Sequence, residues 1–216
     1  MEGFFINRKD RPKRLEHIEK NILSIPFFSK LKKFEAIIHK EGRIGCSLSH
    51  IECLKRLQKL PNDYFLMIED DLVIKNKHFE TFQEEFEKIK DSDWDVIILG
   101  GTVVKCEQCP EFEKFYRARF SYTTTAYIIK KSYISVLLEN FETSVKNMQQ
   151  EVRQEYYLDV YWNRLKLSDK WYVYRKSFIS QLHDYSDTEH KVINFDRLFA
   201  TYYLNIMGNY IRFNAT

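Results

Sequence analysis

Three consecutive acids, Glu69, Asp70 and Asp71, close the apolar run Tyr64–Ile68, and apolar residues resume at once with Leu72, Val73 and Ile74. Adjacent carboxylates repel one another, so a buried or half-buried set of them calls for a cation. A ligand set made only of oxygen suits Mg²⁺ or Mn²⁺, ions that commonly hold a phosphate. The apolar run reads as a strand, and in open α/β sheets ligands bind beyond the carboxyl ends of strands. A solvated acidic turn is the other reading of the same residues.

The elements that must position these acids follow from periodicity. Strand-like runs are expected at Phe4–Asn7, Phe34–Ile38, Phe65–Ile68, Val96–Leu99, Thr123–Ile129 and Trp171–Tyr174. Helical patterns alternate with them. One starts near Pro12 and carries Leu15, Ile18 and Ile22; a second runs from Ile44 to Leu60. A third carries Phe79, Phe82, Phe86 and Ile89, and a fourth begins at Ser132. This alternation predicts a Rossmann-like, three-layer α/β/α sandwich with a mostly parallel central sheet. No repeat or Pro/Gly-rich linker divides the chain, which reads as one domain. Near the C-terminus, Phe195, Leu198, Phe199, Tyr202, Tyr203, Ile206 and Tyr210 recur at three- and four-residue spacing. That spacing predicts an amphipathic helix over 195–216, capped by Asn194, that packs on the parent domain or makes a homo-oligomer contact.

Composition excludes several classes. A 44% hydrophobic and 30% charged chain of 216 residues is globular rather than disordered. A net charge of +3 is too small to argue for nucleic acid. No signal-like segment opens the chain, no apolar stretch has the length of a membrane span, and a cytoplasmic location is expected. Cys46, Cys53, Cys106 and Cys109 read as free thiols, with Cys106 and Cys109 on a loop.

Ordered blocks along the chain resemble glycosyltransferase family 25, which includes lipopolysaccharide-biosynthesis and collagen-glycosylation enzymes. Ile6-Asn7 with Arg11-Pro12 and Arg14 resembles its first strand and Arg-rich turn. Gly45-Cys46-Ser47-Leu48-Ser49-His50 resembles its Gly-Cys-x-x-Ser-His helix start, and Ile68-Glu69-Asp70-Asp71 its metal-binding strand end. Trp94–Gly100 resembles the next core strand, and Thr124–Ile129 its Thr-Ala-Tyr strand. Leu158-Asp159, then Gln181 and Ser186-Asp187-Thr188, resemble its later elements.

The resemblance implies a GT-A fold, a nucleotide-sugar donor such as UDP-galactose, a divalent metal such as Mn²⁺, and inversion at the anomeric carbon. Residues 1–105 would form the nucleotide-sugar and metal half, and 106–194 the acceptor half. The acceptor would be a hydroxyl on a glycan, glycolipid or protein. Asp71 is then a direct metal ligand, with Glu69, His183 and Asp187 as further candidates. Asn7, Arg11, Arg14, Glu69, Asp70 and Tyr127 are candidates for the donor site, where Arg side chains at a helix start favour a diphosphate. Direct inversion needs a general base. Asp159, in a Tyr- and Trp-rich segment, fits that role, with Glu155 in reserve.

The chain departs from the family pattern in three places. Ala36-Ile37-Ile38-His39-Lys40 replaces an Asp-Gly segment, Arg43 stands where the family carries Glu, and Arg8-Lys9 replaces a Leu-Asp pair. Two of these add positive charge, which suits a phosphorylated or acidic acceptor. A non-catalytic GT-A module that binds a nucleotide sugar or a partner, and a metal-dependent nucleotidyltransferase or phosphoesterase, are the alternative readings.

Overall fold

The computed structural model describes residues 1–186, 191–193, 201–206 and 209–214. Strand β1 (Gly3–Asn7) leads through α1 (Pro12–His17) and a π-helical turn (Ile18–Ile22) to β2 (Leu31–Glu35) and α2 (Gly42–Leu57). Then come β3 (Tyr64–Glu69), β4 (Leu72–Ile74), α3 (Phe79–Ile89) and the long strands β5 (Val96–Gln108) and β6 (Phe115–Lys130). Helices α4 (Ile134–Gln150) and α5 (Leu158–Tyr161) precede β7 (Trp171–Tyr174), β8 (Ile179–Gln181) and β9 (Asp184–Ser186). Strands β10 (Lys191–Ile193), β11 (Thr201–Ile206) and β12 (Asn209–Asn214) follow.

Eight strands form one mixed sheet in the order β12-β11-β5-β7-β6-β3-β1-β2. Strand β1 lies between β2 and β3, parallel to both. All five of its residues are buried, as expected for a central parallel strand covered on both faces. Side chains alternate across the sheet, and this parity divides the core. Phe65 and Met67 of β3 pack with α2 and α4 residues such as Leu54 and Phe141, around Trp162 and Trp171. Leu66 and Ile68 pack on the other face with Ile18, Ile22 and the α3 residues Phe82 and Phe86. Strand β3 therefore hands successive acids at its end to opposite faces.

The structure moves three sequence expectations. The second strand spans Leu31–Glu35 rather than Phe34–Ile38. Its ladder with β1 ends because the Ala36 N–H donates to Asn7 O, but the Ile37 N–H donates to Ser49 Oγ of α2 instead. Strand β5 runs on past Gly100 through register shifts because β6 is long enough to pair with it. Cys106 consequently sits inside β5 rather than on a loop, and all four cysteines are free thiols.

The expected C-terminal helix is corrected most. Residues 201–206 and 209–214 are antiparallel strands, and β11 joins the outer part of β5 in parallel, Leu204 opposite Cys106. Tyr, Ile and Phe suit a strand as well as a helix face, and the edge of β5 supplies a ladder that periodicity cannot reveal. An oligomer contact through a helix falls with it over these residues. Asn194, Phe195, Leu198 and Phe199 lie outside the described residues.

Candidate active site

Asp70 and Asp71 meet a cation supplied by the protein itself. Asp70 points toward β1 and α1, where Asn7 Nδ2 donates to its Oδ2 at 2.8 Å and Arg14 Nη1 to its Oδ1 at 3.0 Å. The same Arg14 nitrogen lies 3.3 Å from Asp71 Oδ2, and Arg14 Nε donates to Asp184 Oδ2 at 3.0 Å. Pro12 starts α1 with its φ already helical and leaves Arg14 facing the strand ends. Asp184 arrives by a separate route. Strand β8 pairs antiparallel with β4, Gln181 opposite Leu72, and the Leu182 N–H donates to Asp71 O. Gln181 Nε2 then donates to Asp71 Oδ1 at 3.1 Å.

Three carboxylates around one guanidinium leave negative charge in excess. Burial pushes the Asp71 carboxyl up to about 7, aided by Glu69 and Asp70 and opposed by Arg14. Burial also raises Asp70, while Arg14 and Asn7 hold it down. Arg14 loses solvation on burial, but Asp71 and Asp70 keep it firmly protonated. Beside the carboxylates, Asn7 Oδ1 and Gln181 Oε1 are buried acceptors without a hydrogen-bond partner among the described residues. Carboxylate and amide oxygens are the donors that Mg²⁺ or Mn²⁺ takes, so the residues present fit such an ion.

Glu69 faces the other way. Thr124 Oγ1 of β6 donates to its Oε1 at 2.6 Å, and His50 Nε2 of α2 lies 3.5 Å from the same oxygen. Burial acts to raise this carboxyl, but His50, Thr124 and Arg14 outweigh it and hold it low. The Gly-Cys-x-x-Ser-His block owes its residue types to this geometry. A Cβ on Gly45 would sit 2.6 Å from Ile37 O, so only glycine lets α2 start this close to the end of β2. Ser49 Oγ accepts from Ile37 N–H and donates to Gly45 O, and Cys46 and His50, one turn apart, face Glu69.

Asp159 completes the group from α5. Its Oδ2 accepts from the Thr123 N–H at 2.9 Å, and Thr123 is the single described non-glycine residue with positive φ, 64°. Such strain persists where surrounding structure enforces it, commonly at working sites. Asn163 holds the strand two residues before it. Its Oδ1 accepts from the Ser121 N–H at 2.9 Å, and its Nδ2 donates to Ser121 O at 3.0 Å and to the α5 carbonyl of Asp159. Burial raises the Asp159 carboxyl, with Thr123 and Arg43 pulling it down and Glu69 pushing it up. Asp71, Glu69 and Asp159 are close enough together that all three charges raise the Cys46 thiol, after burial itself.

Other expected residues fall elsewhere. Tyr127 is fully buried and shares a hydrogen bond with His50 Nδ1 at 3.1 Å, a core position. Arg11 is the residue before α1, and its carbonyl accepts from Asn7 Nδ2 at 3.4 Å. His183 is exposed between β8 and β9, and Glu155 is exposed in the turn Gln154–Tyr156. Asp187 lies outside the described residues. Sequence reading missed Asp184, Arg43 and Thr124 as members of the group. Asp184 adjoins the candidate His183, between Gln181 and Ser186, whereas Thr124 becomes visible only through the β3–β6 pairing.

No protein-family model matches the chain, and no curated protein matches it. Solved structures do. A glycosyltransferase involved in the glycosylation of the major capsid of PBCV-1 superposes with a TM-score of 0.51 at 9% identity, over 87% of this chain and 96% of that one. Weaker likenesses are to UDP-glucose pyrophosphorylase complexed with UDP-glucose and to the galactosyltransferase LgtC with donor and acceptor sugar analogs. The first has a TM-score of 0.47 and 12% identity, over 82% of this chain and 72% of that one. The second has a TM-score of 0.41 and 12% identity, over 79% and 73%. The capsid-enzyme likeness is one of fold, and with the sheet described above it defines this chain as a mixed α/β protein of GT-A type.

Proposed function

We propose that this chain is a metal-dependent inverting glycosyltransferase. It moves a hexose, galactose or glucose, from a UDP-sugar to a hydroxyl on a glycan, lipid-linked saccharide or protein. The resemblance to glycosyltransferase family 25 supports this, and one structural observation carries it. At one end of the sheet, an oxygen-rich acidic group around Arg14 lies near a separate, amide-held carboxylate, Asp159. Charge stabilisation and proton removal are the two tasks that direct displacement at an anomeric carbon requires.

Asp71 would hold Mn²⁺ or Mg²⁺, with His183 and Asp187 as further ligands; the ion would offset the charge of the departing diphosphate. Asn7 and Arg14 keep Asp70 and Asp71 in place, and Arg11, the residue before α1, would contact the donor. Asp159 takes the proton from the acceptor hydroxyl as its oxygen bonds the anomeric carbon and the bond to the diphosphate oxygen breaks. UDP leaves with that electron pair. A raised carboxyl is a better proton acceptor near neutral pH than an ordinary aspartate, and the Thr123 amide fixes which oxygen of Asp159 is occupied.

Calorimetric titration of UDP, with Mn²⁺ and with EDTA, tests the donor half. Binding that requires Mn²⁺ and vanishes in Asp71→Ala is expected. Absence of UDP binding by the wild-type protein in Mn²⁺ would overturn the UDP-sugar reading.

A further inference from the structure

The ligand atoms of Cys46, His50 and Glu69 lie within 4.8 Å of one another, the one such group of three among the described residues. Cys46 and His50 are spaced i, i+4 on α2, so one helix face presents both to the end of β3. His50 is 0% exposed, and among the described residues its Nε2 makes no hydrogen bond and faces Glu69 Oε1 at 3.5 Å. A buried nitrogen left unpaired is costly unless a ligand takes its lone pair. We propose that Cys46 Sγ, His50 Nε2 and the Glu69 carboxylate form a second cation site, for Zn²⁺, on the opposite sheet face from Asp70.

The donor chemistry separates the two sites. Sulfur, imidazole nitrogen and one carboxylate are the ligand types of Zn²⁺, whereas the oxygens around Asp71 suit a hard ion. Tetrahedral bonding at Zn–ligand lengths of roughly 2.0–2.3 Å sets ligand atoms about 3.5 Å apart. The His50–Glu69 separation of 3.5 Å already meets this, and the others need a small side-chain movement. The outer contacts are also in place. Tyr127 OH engages His50 Nδ1 at 3.1 Å, which leaves Nε2 as the free lone pair when the tyrosine oxygen accepts. Thr124 anchors the Glu69 carboxylate at 2.6 Å. Binding converts the Cys46 thiol to thiolate and releases one proton to solvent. Three protein ligands leave the fourth position to water, as in zinc sites that carry out chemistry.

This proposal does not depend on the glycosyltransferase reading. Chelator-treated full-length protein is titrated with Zn²⁺, and separately with Co²⁺, whose bond to a thiolate gives a charge-transfer absorption band. The cobalt–thiolate band should saturate at one equivalent, vanish in Cys46→Ser and persist in Cys109→Ser and Asp71→Ala. Tyr127→Phe should weaken Zn²⁺ binding about 10-fold. Bound Zn²⁺ should also shield Cys46 of the wild-type protein from alkylation, read by peptide mapping, which covers the case that Cys46→Ser does not fold. No cobalt–thiolate band in the wild type, a band surviving Cys46→Ser, a band lost in Asp71→Ala, or unshielded Cys46 would overturn it.

Discussion

At the residue scale, the separation of Asp159 from the other acids carries the proposed chemistry. Asn in its place would still accept from the Thr123 amide but could not take a proton. Asp159→Asn should therefore lower the transfer rate by about 10²–10⁴-fold while UDP titration stays unchanged. Arg43 sits 3.8 Å above the Tyr157 ring and pulls the Asp159 carboxyl down. Arg43→Ala removes that pull, so the Asp159 carboxyl rises further. The acid limb of the kcat/KM–pH profile should move to higher pH; an unmoved or lowered limb would mean that Arg43 does not act on the base.

At the element scale, two contacts set where the site residues lie. Helix α2 approaches the end of β2 closely at Gly45, and the backbone atom Ile37 O cannot rotate away from an added methyl. Gly45→Ala should destabilise the fold by about 2–3 kcal/mol, seen as a lower urea midpoint with little change in slope. Asn163 ties α5 to β6 through both the N–H and the C=O of Ser121. Asn163→Ala leaves the buried Ser121 N–H without its acceptor and loosens the turn at the Asp159 carbonyl, so stability should fall by about 2–3 kcal/mol. The transfer rate should fall along with it, while UDP titration should be unchanged.

At the scale of the whole molecule, burial of Asp71 couples folding to pH. Its carboxyl rises from an ordinary 3.8 when unfolded to about 7 when folded, so between those values the folded state holds a proton the unfolded state has lost. Stability from this group therefore falls as pH rises from about 4 to about 7, and stays at its lower level above that. Asp71→Asn keeps the size and the Gln181 neighbour without the charge. It should flatten this fall and be more stable at pH 7 by on the order of 2 kcal/mol, measured by denaturant unfolding across pH. Arg14 retains Asp70 and Asp184 in that variant. Among the described residues no helix is long and apolar enough to cross a membrane.

Local order in the chain was sufficient for the α/β alternation and the strand that ends in Glu69-Asp70-Asp71, because apolar periodicity and helix starts are short-range properties. Asp159 was legible as a carboxylate in an aromatic segment, but not the strained Thr123 amide that holds it. Tertiary structure decided what lies opposite what. Side-chain parity on β3 sends Glu69 to His50 and Asp70 to Arg14, and the β4–β8 ladder brings Asp184 and Gln181 to Asp71 from more than a hundred residues away. It also turned the Tyr- and Ile-rich residues 201–206 and 209–214 into strands. A residue pattern compatible with helix and strand alike is resolved only by the unpaired edge it meets, and that edge, β5, is distant in the chain.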